Sequence, residues 1–480
     1  VGAIAIAIKI FSFFKALVKK LTLVNIYRKC RKSRKINGSI FRRDRMIDGI
    51  SLAMFGFLAQ LWGGNPQSLP LGAVVSWQQA KIFDIPTQED PVVTGLIQDY
   101  LQALAAKGYD PNRQGIWMRT EWAYLAQQRE DLPVSAASLT KVATSLAVMD
   151  KWGLDHRFET RFYTLGTLQN GVLTGDLVIE GGYDPLFVWE EAIAVGNALN
   201  QLGLQKITGN IIVTGPFAMN FKTEPAIAGN LLKQSLDSSQ WSPFVEKQYQ
   251  ALPANTPRPQ VIIAGTVQPQ STLPPNAQLL LRHQSLPVAQ LLKQMNIYSN
   301  NDMAEMFAQS VGGATVVAQT ASRLAHISAS EIQLKNGSGL AIENRLSPRA
   351  VTQLFMTLED KLKAVNLSLS DLFPVMGRDR QGTLQWRNMP QGLTVKTGTL
   401  NQVSALTGMI PTQERGIVWF TIINSGSNFD RLRAEQDKLL QRLAQHWQIL
   451  PTNLNPGPTD KINLGDPARN LAENSTPKGV

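Results

Sequence analysis

The sequence predicts an α+β fold: an antiparallel sheet flanked by helices, joined to a helical subdomain and interrupted by an inserted β-rich domain. Three observations predict it. Apolar residues recur at helical spacing over 92–105 and in a terminal helix over 431–447, while residues 395–400 and 416–423 alternate or run apolar as core strands do. From about His156 to residue 284 the texture changes to short strand-like runs, Gly-containing turns and loops rich in Pro, Gln and Asn. After Pro287 helical spacing resumes over 287–295, 301–310, 316–325 and 348–359.

Each segment follows from its own residues. The 480 residues are 44% hydrophobic with 10 Trp, which excludes a wholly disordered chain and suits two or three domains. Residues 1–70 read as a basic leader, signal or anchor, and linker. A ten-residue apolar run over 50–59 follows Arg28-Lys29-Cys30-Arg31-Lys32 and Arg42-Arg43, the layout of a signal-peptide n-region and h-region. It is shorter than the roughly 20 residues that a membrane-spanning helix needs. Two starts are open: translation from Met46, or a real, long basic leader. No clean A-x-A cleavage site follows, so retention as a membrane anchor stands beside cleavage; the plain alternative is a cytoplasmic chain with an amphipathic basic tail. Residues 71–155 are the first part of the main domain, with a hairpin at 116–118 and 122–125 and a buried helix from Ser138 to Met149. Residues 156–284 are the insert, with strands at 157–165, 172–180 and 207–214 and a helix at 190–202. Residues 285–450 are the second part. The Pro-, Asn- and Gly-rich residues 451–480 read as a disordered tail.

Charge and composition exclude several functions. Of the net charge of +11, residues 1–45 account for +12, with 13 basic side chains against Asp44. The remaining residues are near neutral, with 34 basic and 35 acidic side chains, so no nucleic-acid partner is expected. The single cysteine, Cys30, excludes a disulfide framework in the body, and the four histidines form no H-x-x-x-H. No metal and no organic cofactor are expected.

Three short motifs carry chemistry. In S-x-x-K, Ser138 and Lys141 lie three apart, so on a helix they share a face and the amine can meet the hydroxyl. A serine needs a base, and a partly desolvated lysine in a positive pocket can become one. In S-x-N, Ser299 and Asn301 precede or open a helix, where the hydroxyl can relay a proton and the amide can hold a carbonyl; a plain helix cap is the alternative reading. In K-T-G, Lys396, Thr397 and Gly398, extended by Thr399, lie on an expected strand. There a cation and a hydroxyl suit a terminal carboxylate, and the glycine lets a substrate approach the backbone; a hairpin tip is the alternative.

In this order the motifs are the signature of penicillin-recognising serine enzymes. The chain resembles D-alanyl-D-alanine carboxypeptidases of the penicillin-binding protein 4 type (DacB, peptidase family S13). The resemblance extends to Gly181-Gly182-Tyr183-Asp184-Pro185, to Asn336-Gly337-Ser338-Gly339-Leu340 with Asn344-Arg345-Leu346-Ser347-Pro348, and to Val403-Ser404-Ala405-Leu406-Thr407-Gly408. Asn336 stands where the family usually has Asp, which changes a local salt bridge.

The resemblance implies a β-lactamase/transpeptidase-like serine hydrolase domain, the long interval from Ser138 to Ser299 being filled by the inserted domain. It also implies a mechanism. Lys141 takes the Ser138 proton, and the backbone N–H groups of Ser138 and Thr399 hold the oxyanion. Ser299 passes a proton to the departing D-alanine, and Asn301 holds the acyl side. Lys396 with Thr397 binds the terminal carboxylate. Peptidoglycan stem peptides are the expected substrates, β-lactam antibiotics the expected inhibitors, and DD-endopeptidase activity a close companion. The alternatives are a serine β-lactamase or a non-catalytic penicillin-binding wall-sensing module. The expected location is the periplasm, with possible attachment to the membrane through the N-terminal segment.

Overall fold

The computed structural model describes residues 90–452 and 454–473. The expected leader, signal or anchor, and linker over 1–70 lie outside the described residues. Among the described residues no helix is long and apolar enough to cross a membrane.

The central sheet has five antiparallel strands in the order Thr394–Leu400, Val403–Thr412, Gly416–Ser425, Gln114–Arg119 and Tyr124–Gln128. The hairpin from the start of the domain therefore pairs with a strand from its end. Alternation along each strand sorts the two faces. Val418, Phe420 and Ile422 pack with the helices Pro91–Ala105 and Phe429–Trp447, through residues such as Leu96, Leu439 and Trp447. Trp419 and Ile423, one residue out of phase, join Leu354 and Phe355 in a second core. Each fully buried side chain of this kind contributes about 1.5–3 kcal/mol.

That second core belongs to the helical part: Thr140–Trp152, Val288–Tyr298, Asn301–Val311, Ala314–Ala325 and Pro348–Lys363. Local chemistry sets the helix starts. Asp90 accepts from the N–H groups of Val92 and Val93 ahead of Pro91, and Ser347 accepts from that of Ala350 ahead of Pro348. In each case a side chain satisfies free N–H groups beside a proline that has none.

The insert is built on an eight-stranded mixed sheet. Glu159–Gln169 pairs antiparallel with Val172–Glu180 on one side and Gln278–Gln284 on the other. Two expectations need correction here. The run over 207–214 is two short strands, Lys206–Ile207 and Ile211–Thr214, because the chain turns where the Asn210 N–H donates to Asp176. The stretch 215–275 also holds the helices Pro225–Leu236 and Pro243–Gln250. These lie on crossovers between parallel strands, which a tight hairpin cannot join.

The reading of 451–480 as a disordered tail is overturned for the described part, 454–473. Asn470–Ala472 adds an edge strand to the insert against Gln278–Gln284. Earlier in this strap the Thr459 hydroxyl donates to the Asp371 carbonyl at 2.6 Å, and Asp460 lies 3.4 Å from Lys293. Pro, Asn and Gly indicate that a segment has no core of its own; they do not exclude an ordered path over a neighbour's surface. The strongest tie is buried. Arg469 donates to both carboxylate oxygens of Glu191 at 2.6 and 2.7 Å.

Burial pushes Glu191 up to about 7 while Arg469 pulls the other way. Arg469→Ala therefore leaves a buried carboxylate without its partner, at an expected cost of about 3–5 kcal/mol. Thermal unfolding should show a large loss of Tm at pH 8. The loss should be smaller at pH 5, where a protonated Glu191 needs no counter-charge.

Candidate active site

Ser138 lies in a 3-10 turn, Ala137–Leu139, that runs directly into the helix Thr140–Trp152. Ala137 adopts φ 48°, a left-handed conformation that is strained for a residue with a side chain. Gly339 lies against this turn at φ +85°, and a Cβ there would sit 1.9 Å from the Ala137 carbonyl oxygen. Only glycine can occupy that position, so the S-G-L loop and the turn that carries Ser138 are built to touch.

One helical turn after Ser138, Lys141 is fully buried. Its Nζ donates to Ser138 Oγ at 3.0 Å, to Asn301 Oδ1 at 2.8 Å and to the Ser338 carbonyl at 2.8 Å. An ammonium uses all three protons in this way. A neutral amine has two, and the Asn301 and Ser338 oxygens can only accept. They take both N–H groups and leave the lone pair facing the Ser138 hydroxyl. Burial pushes Lys141 down to about 7, with the Glu305 carboxylate opposing. Glu305 itself accepts from the N–H groups of Gly337 at 3.1 Å and Ser338 at 2.9 Å, which fixes the loop whose carbonyl meets Lys141.

Ser299 and Asn301 come from a reversal between two helices. Ser299 is the left-handed C-cap of Val288–Tyr298 (φ 53°), and Asn300 caps the next helix by accepting from the Met303 N–H at 3.0 Å. The capping reading and the site reading of S-x-N are thus both right: Asn300 caps, while its neighbours face the site. Lys396 Nζ donates to Ser299 Oγ at 3.0 Å and to the Thr397 carbonyl at 2.8 Å. Burial and the nearby Lys141 push Lys396 well below the ordinary lysine range. An anion brought against Lys396 would supply the counter-charge that restores its ammonium.

The strand Thr394–Leu400 is the sheet edge. On its outer side the Val395 N–H donates to the Pro374 carbonyl at 3.0 Å. Because N–H direction alternates, those of Thr397 and Thr399 also point outward. A Cβ on Gly398 would lie 2.8 Å from the Ala136 carbonyl oxygen and 3.1 Å from the Ser138 nitrogen. The glycine lets the strand lie against the turn that carries Ser138, close to the Ser138 nitrogen. The Thr399 hydroxyl accepts from Arg433 at 2.7 Å.

All eight residues singled out in the sequence converge here: Ser138, Lys141, Ser299, Asn301, Lys396, Thr397, Gly398 and Thr399. Sequence reasoning missed Glu305 and Arg433, which act through loop backbone and the strand edge and have no motif of their own. The partners of the amide at 336 are neutral, with Asn344 Nδ2 donating to Asn336 Oδ1 at 2.8 Å and the Gly339 N–H donating to the same oxygen at 3.2 Å. Beside Ser135 and Leu400 opens a cavity of about 880 Å³, with Arg113, Arg129 and Arg345 in its wall.

Comparisons with known proteins identify the family and the fold. The family model described as D-Ala-D-Ala carboxypeptidase 3 (S13) matches residues 112–224 and 226–446. Carboxypeptidase Rv3627c of Mycobacterium tuberculosis is 25% identical over 343 residues, covering 63% of this chain and 73% of that protein. The penicillin G-acylated predatory endopeptidase Bd3459 of Bdellovibrio bacteriovorus superposes with a TM-score of 0.61 at 20% identity, over 73% of this chain and 96% of that one. Penicillin-binding protein 4 (dacB) of Haemophilus influenzae gives a TM-score of 0.53 at 19% identity, over 72% and 98%. The two structures share the fold.

The Lys141 environment sets a pH dependence. The base form of a lysine held near 7 grows as pH rises through 7, so the rate at which benzylpenicillin acylates Ser138 should rise along a limb centred there. Glu305→Gln removes the charge that favours the ammonium, and the limb should move to lower pH in stopped-flow acylation profiles.

Proposed function

The chain belongs to the D-Ala-D-Ala carboxypeptidase 3 (S13) family, and within that activity we propose that Ser138 is the nucleophile and Lys141 its base. The family is one of serine-type enzymes that act on peptidoglycan and bind penicillin, carboxypeptidase and endopeptidase chemistry being two uses of one acyl-enzyme. One observation carries the assignment of roles: Asn301 and the Ser338 carbonyl occupy the N–H groups of Lys141 and aim its lone pair at Ser138, 3.0 Å away.

Ser138 Oγ attacks the carbonyl between two terminal D-alanines as Lys141 accepts its proton. Negative charge develops on the carbonyl oxygen between the N–H groups of Ser138 and Thr399, where one donor is typically worth about 3 kcal/mol. Lys396 and the Thr397 hydroxyl bind the terminal carboxylate. Ser299, which accepts from Lys396, passes its hydroxyl proton to the departing amine and is reprotonated by the proton that Lys141 took from Ser138, so both side chains end as they began. The Asn301 oxygen stays on Lys141, which leaves its NH2 group for the carbonyl on the acyl side. The rest of the stem peptide extends along the edge strand towards the cavity beside Leu400. Water then releases the acyl group.

Export to the periplasm is part of the same proposal, supported by the basic-then-apolar order of residues 28–59 and by a body without cysteine. Attachment to the membrane through that segment is its extension. Fractionation of cells expressing the full chain tests both, since recovery in the cytoplasm would overturn them.

Fluorescent penicillin should label the wild-type protein and not Ser138→Ala. Digestion of peptidoglycan should release D-alanine and, from cross-linked material, monomeric stem peptides. Labelling of Ser138→Ala would sink the nucleophile assignment. Rapid hydrolysis of penicillin without peptide products would instead mark a β-lactamase.

A further inference from the structure

Ser299 and Lys396 mark where the departing amine and its carboxylate lie, and the surface beyond them is built with care. A loop starts there: the Tyr298 hydroxyl donates to Gln381 at 2.6 Å, and the Thr383 hydroxyl donates to the Ile297 carbonyl at 3.3 Å. The loop ends on the terminal helix Phe429–Trp447. Arg387 donates to Asp437 at 2.6 and 2.9 Å, and the Asn388 N–H donates to the same carboxylate at 2.8 Å. Leu384 and Met389 are buried. Between these anchors Trp386 is 84% exposed. A loop held at both ends that leaves a tryptophan in water has the form of a recognition platform, since the ring offers a large contact area at little cost in entropy.

Beside that ring lies a cavity of about 390 Å³ lined by Arg433 and Lys438 and also by Asp430 and Asp437, the latter already paired with Arg387. Arg433 is the wall shared with the catalytic strand, because it also donates to the Thr399 hydroxyl at 2.7 Å. Its ion-pair partner is Asp430 at 3.3 Å, whose side chain is 78% exposed. The guanidinium itself is half-buried over the Phe429 ring, and because its acidic partner is exposed the ion pair is weak, so an incoming carboxylate can compete with Asp430 for it.

We propose that Arg433 and Trp386 form a subsite for the leaving half of a cross-linked stem peptide, Arg433 joining Lys396 and Thr397 on the carboxylate next to the departing amine and Trp386 carrying the peptide beyond it. The proposal rests on the peptidase reading above and adds the structural basis for its endopeptidase branch. A departing D-alanine ends at its carboxylate and has nothing to place on Trp386. A departing diamino dicarboxylic acid carries a carboxylate on the same carbon as the amine, plus the rest of its stem. Only the second leaving group reaches the cavity, while both use Arg433.

The two residues therefore separate in one experiment, in which purified full-length wild type, W386A and R433Q act on a cross-linked dimer, a monomeric pentapeptide and a pentapeptide ending in an amide. W386A should lower kcat/KM on the dimer about tenfold, mostly through KM, and leave D-alanine release from the monomer and acylation by penicillin as in wild type. R433Q should raise KM about tenfold for both carboxylate-bearing substrates and leave the amide-ended peptide unaffected. Dimer cleavage by W386A at the wild-type rate overturns the platform, and so does an equal loss on dimer and monomer, which marks a distorted site. Equal losses of R433Q on acid and amide overturn the carboxylate role. A wild-type protein that penicillin labels but that cleaves neither peptide sinks the peptidase reading and the subsite with it. Loss of the W386A effect alone leaves that reading standing.

Discussion

Lys141 is an amine with no contact with water, surrounded by one hydroxyl and two oxygens that can only accept. In such a place an ammonium is disfavoured by burial and a neutral amine is oriented by its own hydrogen bonds. Most of the site answers to this one group. The helix Thr140–Trp152 places the amine one turn from Ser138. The reversal at Ser299–Asn301 brings in one acceptor from a distant part of the chain, and the loop at Ser338 brings in the other. Glu305 ties that loop down and limits how far the lysine is discharged. Removing any of these partners would change the charge on Lys141 as well as its position.

The same pocket holds a second buried lysine, and the two differ in what surrounds them. Lys141 faces acceptors and a nearby carboxylate. Lys396 faces a serine hydroxyl and a backbone carbonyl at the open edge of a sheet. In the proposed mechanism the first takes a proton and the second meets the anion that arrives with substrate. Two chemically identical side chains thus receive opposite tasks from their neighbours.

Outside the site, stability rests on ties between segments far apart in sequence. The first hairpin completes a sheet whose other strands come from near the end of the domain. The strap over 454–473 then returns to the insert, where Arg469 meets Glu191 out of water. Such a pair is weak evidence of net stabilisation, but it specifies one arrangement, because a single partner left behind is costly. The strap also leans on Asp371 and Lys293, the latter in the helix that ends at Ser299. Insert and catalytic half are therefore joined by a segment whose Ile462 and Leu464 pack against the helical core and whose Asn470–Ala472 extends the insert's sheet.

What the sequence by itself determined was local. Ser138 and Lys141 meet because three residues of helix bring them together, and that can be read from spacing. Helices opened by Asp90-Pro91 and Ser347-Pro348 start where side-chain capping requires. The wider set, Ser299, Asn301 and Lys396, was legible only through the order of its motifs and the family they resemble, since no local rule joins residues more than a hundred positions apart. Other features were decided in three dimensions. The strand Val403–Thr412 carries Gly408 and Pro411, which weaken its pattern, and it forms because strands on both sides pair with it. The strap looked disordered because it has no core of its own, and it is ordered by surfaces that other residues make. Glu305 and Arg433 carry no signature, for their parts depend on a loop and a strand edge that only the folded chain brings within reach. Contact at short range follows the repeat of the backbone; contact at long range exists only after the whole chain has buried its apolar surface.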